Sequence, residues 1–159
     1  MSADEQSMRR VTAIRNGTVI DHIPGGMVLQ ALRIFSVDGR QSNPISLVMN
    51  VPSGKLGTKD ILKIEDRELT QDELDRLALI APMASVSIIR NYSVAEKLTI
   101  QLSEEMINVA HCIYSNCISN SIREPLPHRL KVLSTTPMIL QCHYCARNQN
   151  LERLIENLL

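Results

Sequence analysis

Four cysteines carry the clearest chemistry in this chain. They are spaced Cys112-x4-Cys117 and Cys142-x2-Cys145, with 24 residues between the pairs. Two or four intervening residues suit a tight turn that aims both thiols at one point. Two such turns supply the four sulfurs of a closed tetrahedral zinc shell, with Zn–S bonds of about 2.3 Å. Two disulfides, or four unrelated buried thiols, are the alternatives; in a reducing compartment, paired cysteines favour metal. A shell filled by sulfur leaves no position for water, so the zinc, one per chain, is expected to be structural and not catalytic. His111 and His143 adjoin two of the cysteines. The sulfur set is complete without them, and both are expected to face solvent or stand behind the ligands.

Other chemistries are disfavoured by composition. The chain has 159 residues with Lys plus Arg at 17 and Asp plus Glu at 17, a balance that argues against a general nucleic-acid binder or a polybasic membrane anchor. One Phe, three Tyr and no Trp leave few platforms for stacking bases. No P-loop, GxGxxG or nucleophile–base signature is present. The opening MSADEQSMRR has no apolar segment, and no run approaches the length of a membrane span, so the expected location is the cytoplasm.

The elements that must position these residues fall into two groups. Residues 9–23 are β-prone, with Asn16-Gly17 as a turn signal in the middle of a small hairpin. Met27, Val28, Ala31, Leu32 and Phe35 recur at helical spacing, which predicts a helix over 26–36. Strands are expected at 44–51 and 59–65. Thr70-x-x-Glu73 is a capping box that opens a second helix, whose apolar face is Leu74, Leu77, Ala78 and Ala81 and which Pro82 stops. A last long strand is expected at 84–91, and 92–105 reads as a connector. The order β-α-β-β-α-β is the ferredoxin-like arrangement, an antiparallel sheet with two helices. The expected class is therefore α+β: a ferredoxin-like unit over 1–101, then a small zinc-bound antiparallel β domain over 102–159. The second is too short to rely on an apolar core alone.

Four blocks in this order, GTVIDHIP at 17–24, VPSGKLGTKDILKIE at 51–65, LALIAP at 77–82 and the cysteine set, closely resemble the aspartate carbamoyltransferase regulatory chain family. The resemblance runs from about Val11 to Cys145. It implies a non-catalytic chain whose N-terminal domain binds nucleoside triphosphate effectors, CTP and ATP with UTP as a further candidate. It also implies a zinc domain that docks on the catalytic chain. Regulatory chains would pair through their N-terminal domains, and three such dimers would join two catalytic trimers in an enzyme of pyrimidine synthesis.

The site residues follow from the same resemblance. Lys63 and Lys97 are expected at the ribose–phosphate part of the effector, with Lys59 the third cation on a motif position. Lys59 and Lys63 are four apart on one strand, so their side chains leave the same face. Asp21 is expected at the ribose hydroxyls and His22 at the phosphates. Backbone groups near Thr12, Ala13, Ile14, Ile89 and Tyr92 would recognise the base, and Val19, Ile61 and Val94 would line the pocket. In the zinc domain, Asn116 and Arg147 are expected to touch the partner. The sequence departs from the family's habit at Thr12, Ser87 and Tyr114, and in Ala146-Arg147-Asn148. Read without the resemblance, the cysteines also suit a zinc-ribbon nucleic-acid-binding protein, and the first unit a free-standing metabolite sensor.

Overall fold

Val19, Ile20, Ile61, Leu62 and Ile64 are all buried, though neighbouring residues of a strand point to opposite faces. Strands built from them must be covered on both sides. They form β1 (Gly17–Pro24) and β3 (Gly57–Glu65), two of the three inner strands of a five-stranded antiparallel sheet. With β2 (Ile45–Ser53), β4 (Ser85–Arg90) and β5 (Ser93–Thr99) the order is β2-β3-β1-β4-β5. The first four strands give the ferredoxin-like order, and β5 is added beside β4. The computed structural model describes residues 13–41, 43–54, 57–100, 102–135 and 137–159. The chain divides into two compact units, 1–100 and 101–159.

The helices of the first unit are shorter than their apolar periodicity predicts. Helix α1 spans Val28–Ile34 and α2 Gln71–Leu77. The capping box forms at Thr70: its hydroxyl accepts from the Glu73 amide and its amide donates to the Glu73 carboxylate, both at 3.3 Å. The helix does not run on to Pro82. Leu79 and Ile80 donate instead to Arg76 and Leu77, three residues back, tightening the last turn.

Two other expectations are corrected. Asn16-Gly17 does not turn a hairpin among the described residues: Gly17 begins β1, and residues 9–12 lie outside them. Gly17 has φ +142°, and a Cβ there would sit 2.1 Å from the Ile64 carbonyl oxygen, so the glycine serves close strand approach. The supposed connector 92–105 is mostly paired strand, β5 and the start of β6 (Glu105–Ile107). Asn91 and Tyr92 form the β4–β5 turn with φ of 52° and 64°. That is the conformation of a two-residue hairpin, which usually advertises itself with glycine. Tyr92 conceals it, and the strained turn is held by Tyr92 N–H donating to the Arg15 carbonyl (2.9 Å) and Asn91 N–H to Asn16 Oδ1 (3.2 Å).

Two bulges face each other across β3. In β1 the register skips between Ile20 and Ile23; in β2 it skips between Val48 and Val51. His22 (φ 60°) and Asn50 (φ 58°) are the residues displaced. Between them lies Asp60, fully buried. Its carboxylate accepts from Val28 N–H at 2.9 Å, at the start of α1, and from Asn50 N–H at 2.8 Å. One side chain thus fixes a helix start and a bulge.

The second unit contains β6 (Glu105–Ile107), β7 (Arg129–Thr135), β8 (Met138–Cys142) and β9 (Asn148–Gln149) in that order across an antiparallel sheet. A 3-10 turn at Ile118–Asn120 follows the first cysteine pair. Helix α3 (Leu151–Ile155) opens on Asn150, whose side chain accepts from Arg153 N–H at 3.0 Å. Leu154 and Ile155 from this helix join Met106, Val109, Ala110, Leu130 and Leu140 in the unit's buried set. No helix among the described residues is long and apolar enough to cross a membrane.

Candidate metal centre and effector face

Two tight turns deliver the sulfurs of the second unit. Cys117 N–H donates to the Tyr114 carbonyl at 3.1 Å, and Asn120 Nδ2 donates to the carbonyls of Cys112 and Tyr114, both at 2.9 Å. In the second turn Ala146, at φ 57°, donates its N–H to the Cys142 carbonyl at 2.9 Å. The sulfurs of Cys112, Cys117, Cys142 and Cys145 then all lie within 4.8 Å of one another. Cys112 to Cys145 is 3.8 Å and Cys117 to Cys142 is 3.7 Å. Disulfide sulfurs sit about 2.05 Å apart, so these are not disulfides. A tetrahedron with bonds of about 2.3 Å has edges near 3.8 Å. The donor set and its spacing therefore fit a tetrahedral metal ion. His111 packs edge-on against His128 with ring centroids 4.4 Å apart, and His143 Nε2 lies 3.3 Å from Arg129 Nη1. Neither histidine is in the cluster.

The thiols are not electrostatically alike. Burial pushes Cys112 up to about 12 and raises Cys142 as well. At Cys145 burial also pushes upward, but hydrogen bonds from the Arg147 backbone and side chain outweigh it, holding the thiol at about 7. Metal binding must displace the protons of the raised thiols, which couples occupancy to pH. Arg147 also donates to Asn116 Oδ1 at 2.8 Å, with its guanidinium carbon 4.0 Å above the Tyr114 ring. The two residues expected at the partner contact are thus joined, and Tyr114 forms their floor.

On the first unit, strand register brings most of the expected effector residues to one face. Lys63 pairs with Val19, Val19 with Ser87, and Ser87 with Lys97, a single row across β3, β1, β4 and β5. Strands about 4.8 Å apart place the two lysines roughly 14 Å from each other. Ile14, Val19, Ile61 and Ile89 form a buried apolar cluster, with Val48 packed against it. Burial lowers the Lys63 pKa from the ordinary lysine value. Tyr92, Val94 and Lys97 are exposed, and Ala13 precedes Ile14 on the segment held against the β4–β5 turn. Thr12 lies outside the described residues.

Lys59 and Asp21 are arranged differently from a pair of open binding groups. Lys59 is fully buried, and its Nζ is 3.0 Å from Asp21 Oδ1. His22 N–H donates to the same oxygen at 2.6 Å, and His22 Nδ1 is 3.4 Å from Ser85 Oγ. The β1 bulge therefore presents Asp21 and His22 together, with Lys59 anchoring the carboxylate from below. Asp60, which sets this part of the sheet, escaped the sequence reading. Its signal was a carboxylate inside the apolar block Asp60-Ile61-Leu62.

Comparison with known proteins divides the chain in the same way. Residues 9–101 match the family model described as aspartate carbamoyltransferase regulatory chain, allosteric domain. Residues 104–155 match that described as aspartate carbamoyltransferase regulatory chain, metal binding domain. The regulatory chain of Korarchaeum cryptofilum is 43% identical over 148 residues, 93% of this chain and 94% of that one. That of Methanothrix thermoacetophila is 44% identical over 150 residues, 94% of this chain and 96% of that one. That of Thermofilum pendens is 43% identical over 149 residues, 94% of each.

Proposed function

This chain belongs to the aspartate carbamoyltransferase regulatory chain family, and from that we propose that it binds nucleoside triphosphates on its N-terminal sheet and shifts the quaternary equilibrium of the enzyme. The family's chains are regulatory and non-catalytic, and the enzyme acts in pyrimidine biosynthesis. The observation that carries the reading is the row Lys63–Val19–Ser87–Lys97 beside the apolar cluster. Two cations flanking an apolar strip suit an anionic phosphate chain at one part and a ribose and base at another. Asp21 would accept from ribose hydroxyls and His22 would meet a phosphate oxygen. Backbone groups near Ala13, Ile14, Ile89 and Tyr92 would read the base.

In the same reading the four thiolates hold one zinc ion. Zinc, when bound, crosslinks the two cysteine turns and supplies no chemistry. Arg147, Asn116 and Tyr114 form the contact with the catalytic chain, in an assembly of two catalytic trimers and three regulatory dimers.

The effector residues belong to one unit and the proposed partner contact to the other, so the nucleotide is assigned an indirect role. It acts by binding one quaternary arrangement better than another. Coupling of this kind is typically about 1–3 kcal/mol, roughly 5–150-fold. In the reconstituted holoenzyme, CTP or ATP is expected to move the aspartate concentration at half-maximal rate, and to leave isolated catalytic trimers unchanged. By linkage, a bisubstrate analogue must change nucleotide affinity by the coupling factor. Equal affinity with and without the analogue would make the chain a scaffold and not a regulator.

The site itself has a separate test. Lys63→Ala and Lys97→Ala should each weaken CTP binding in calorimetry about 10- to 100-fold, the loss of one hydrogen bond to a charged group. The assembly should stay intact in both. Unchanged affinity in both variants would remove this row from the effector site.

A further inference from the structure

We propose that Gln149 is a positioning residue of the metal centre, donating an N–H to the Cys112 sulfur while locking the two cysteine turns together. The inference rests on the reading of the cluster as a metal site. Gln149 lies on β9, paired with Leu140 of β8, and is only 8% exposed. Its Oε1 accepts from Ile113 N–H at 2.8 Å. Its Nε2 reaches the Arg147 carbonyl at 3.1 Å and Cys112 Sγ at 3.4 Å. Ile113 follows the first ligand of one turn, and Arg147 lies two residues beyond the last ligand of the other. A single side chain therefore bridges both.

The amide can be oriented in only one way. Ile113 N–H requires an acceptor, so the oxygen must face it. The two amide hydrogens then fall to the Arg147 carbonyl and the sulfur. A buried amide costs free energy unless its groups are satisfied, and here the oxygen takes Ile113 N–H and one hydrogen takes the Arg147 carbonyl. What the amide adds is a donor aimed at a ligand atom. Four thiolates around a divalent ion leave net negative charge in a buried site, and each N–H or O–H directed at a sulfur disperses part of it. Ser119 is a second such donor: its hydroxyl oxygen is buried 3.1 Å from Cys117 Sγ.

The test uses the full chain loaded with zinc or with cobalt(II). Loss of an outer hydrogen-bond partner typically lowers metal affinity roughly 10–100-fold, and Gln149→Met should do so in competition with a chelator. Gln149→Glu keeps an oxygen for Ile113 N–H and replaces the donor with a carboxylate. Its affinity should fall at least as far. A donor withdraws charge from sulfur, so in the cobalt protein both variants should move the sulfur-to-cobalt charge-transfer band to longer wavelength. Ser119→Ala should move it the same way by a smaller amount. A role in packing alone would leave that band where it is. Wild-type affinity and an unshifted band in both Gln149 variants would overturn the proposal and leave the metal reading standing. Failure of the wild-type chain to take up either ion would overturn both.

Discussion

Replacing Cys142 by serine is expected to strip the metal from the C-terminal unit, unfold it, and leave the N-terminal unit folded. The magnitudes decide this. A structural zinc site in a small domain contributes about 10–16 kcal/mol of apparent binding free energy near neutral pH. An apolar core of fewer than 70–80 residues rarely supplies more than about 3–5 kcal/mol. The unit spans residues 101–159 and buries a modest set, among them Met106, Leu130, Leu140 and Leu154. Losing the metal therefore removes more than the core can replace, and a serine hydroxyl cannot substitute because it stays protonated. The same outcome is expected at Cys112, Cys117 and Cys145. Metal content, amide exchange across 102–159 and sedimentation with catalytic trimers read it out. One metal per chain in a fully assembled Cys142→Ser complex would show that the site is misassigned.

The second large effect is expected at Asp21. Asp21→Ala removes the carboxylate that sits 3.0 Å from the fully buried Lys59 ammonium. Breaking a buried ion pair by deleting one partner typically costs about 3–5 kcal/mol. Asp21 keeps some exposure, so the low end of that range, about 3 kcal/mol, is expected in denaturant unfolding of the N-terminal unit. The double variant Asp21→Leu/Lys59→Met should recover most of the loss, since apolar replacement of a buried pair is often close to neutral. Nucleotide affinity should not recover with it, because Asp21 is proposed to meet the ribose. A double variant as unstable as Asp21→Ala would assign the loss to the β1 bulge rather than to the ion pair.

What could be read in the sequence depended on how local each signal was. The cysteine turns, the Thr70 capping box and the strand-rich order of the first unit announce themselves within a few residues. The β4–β5 turn does not, because Tyr92 occupies a left-handed position where glycine is the usual sign. Its conformation is supplied by Arg15 and Asn16, more than 70 residues earlier in the chain. Gln149 is in the same position: nothing around it distinguishes it from a surface amide until β9 places it against Cys112. Lys59 looked like a cation for a ligand, and only the bulge in β1 reveals that Asp21 holds it. Long-range register, which one sequence does not display, separates these residues from the ones that were legible.

The separation of the two thiol pairs sets a clock on biosynthesis. Cys112 finds its neighbour Cys145 across 33 residues of chain, and Cys117 finds Cys142 across 25. At about 5–20 residues per second, a ribosome needs roughly 2–7 s to synthesise the longer stretch. For most of that interval, from Cys117 until β8 (Met138–Cys142) is made, the nascent chain offers two sulfurs, half a coordination shell. Nucleophilic thiols two to a turn are in those seconds open to oxidation and to capture of softer ions. The last turn to emerge therefore decides the outcome.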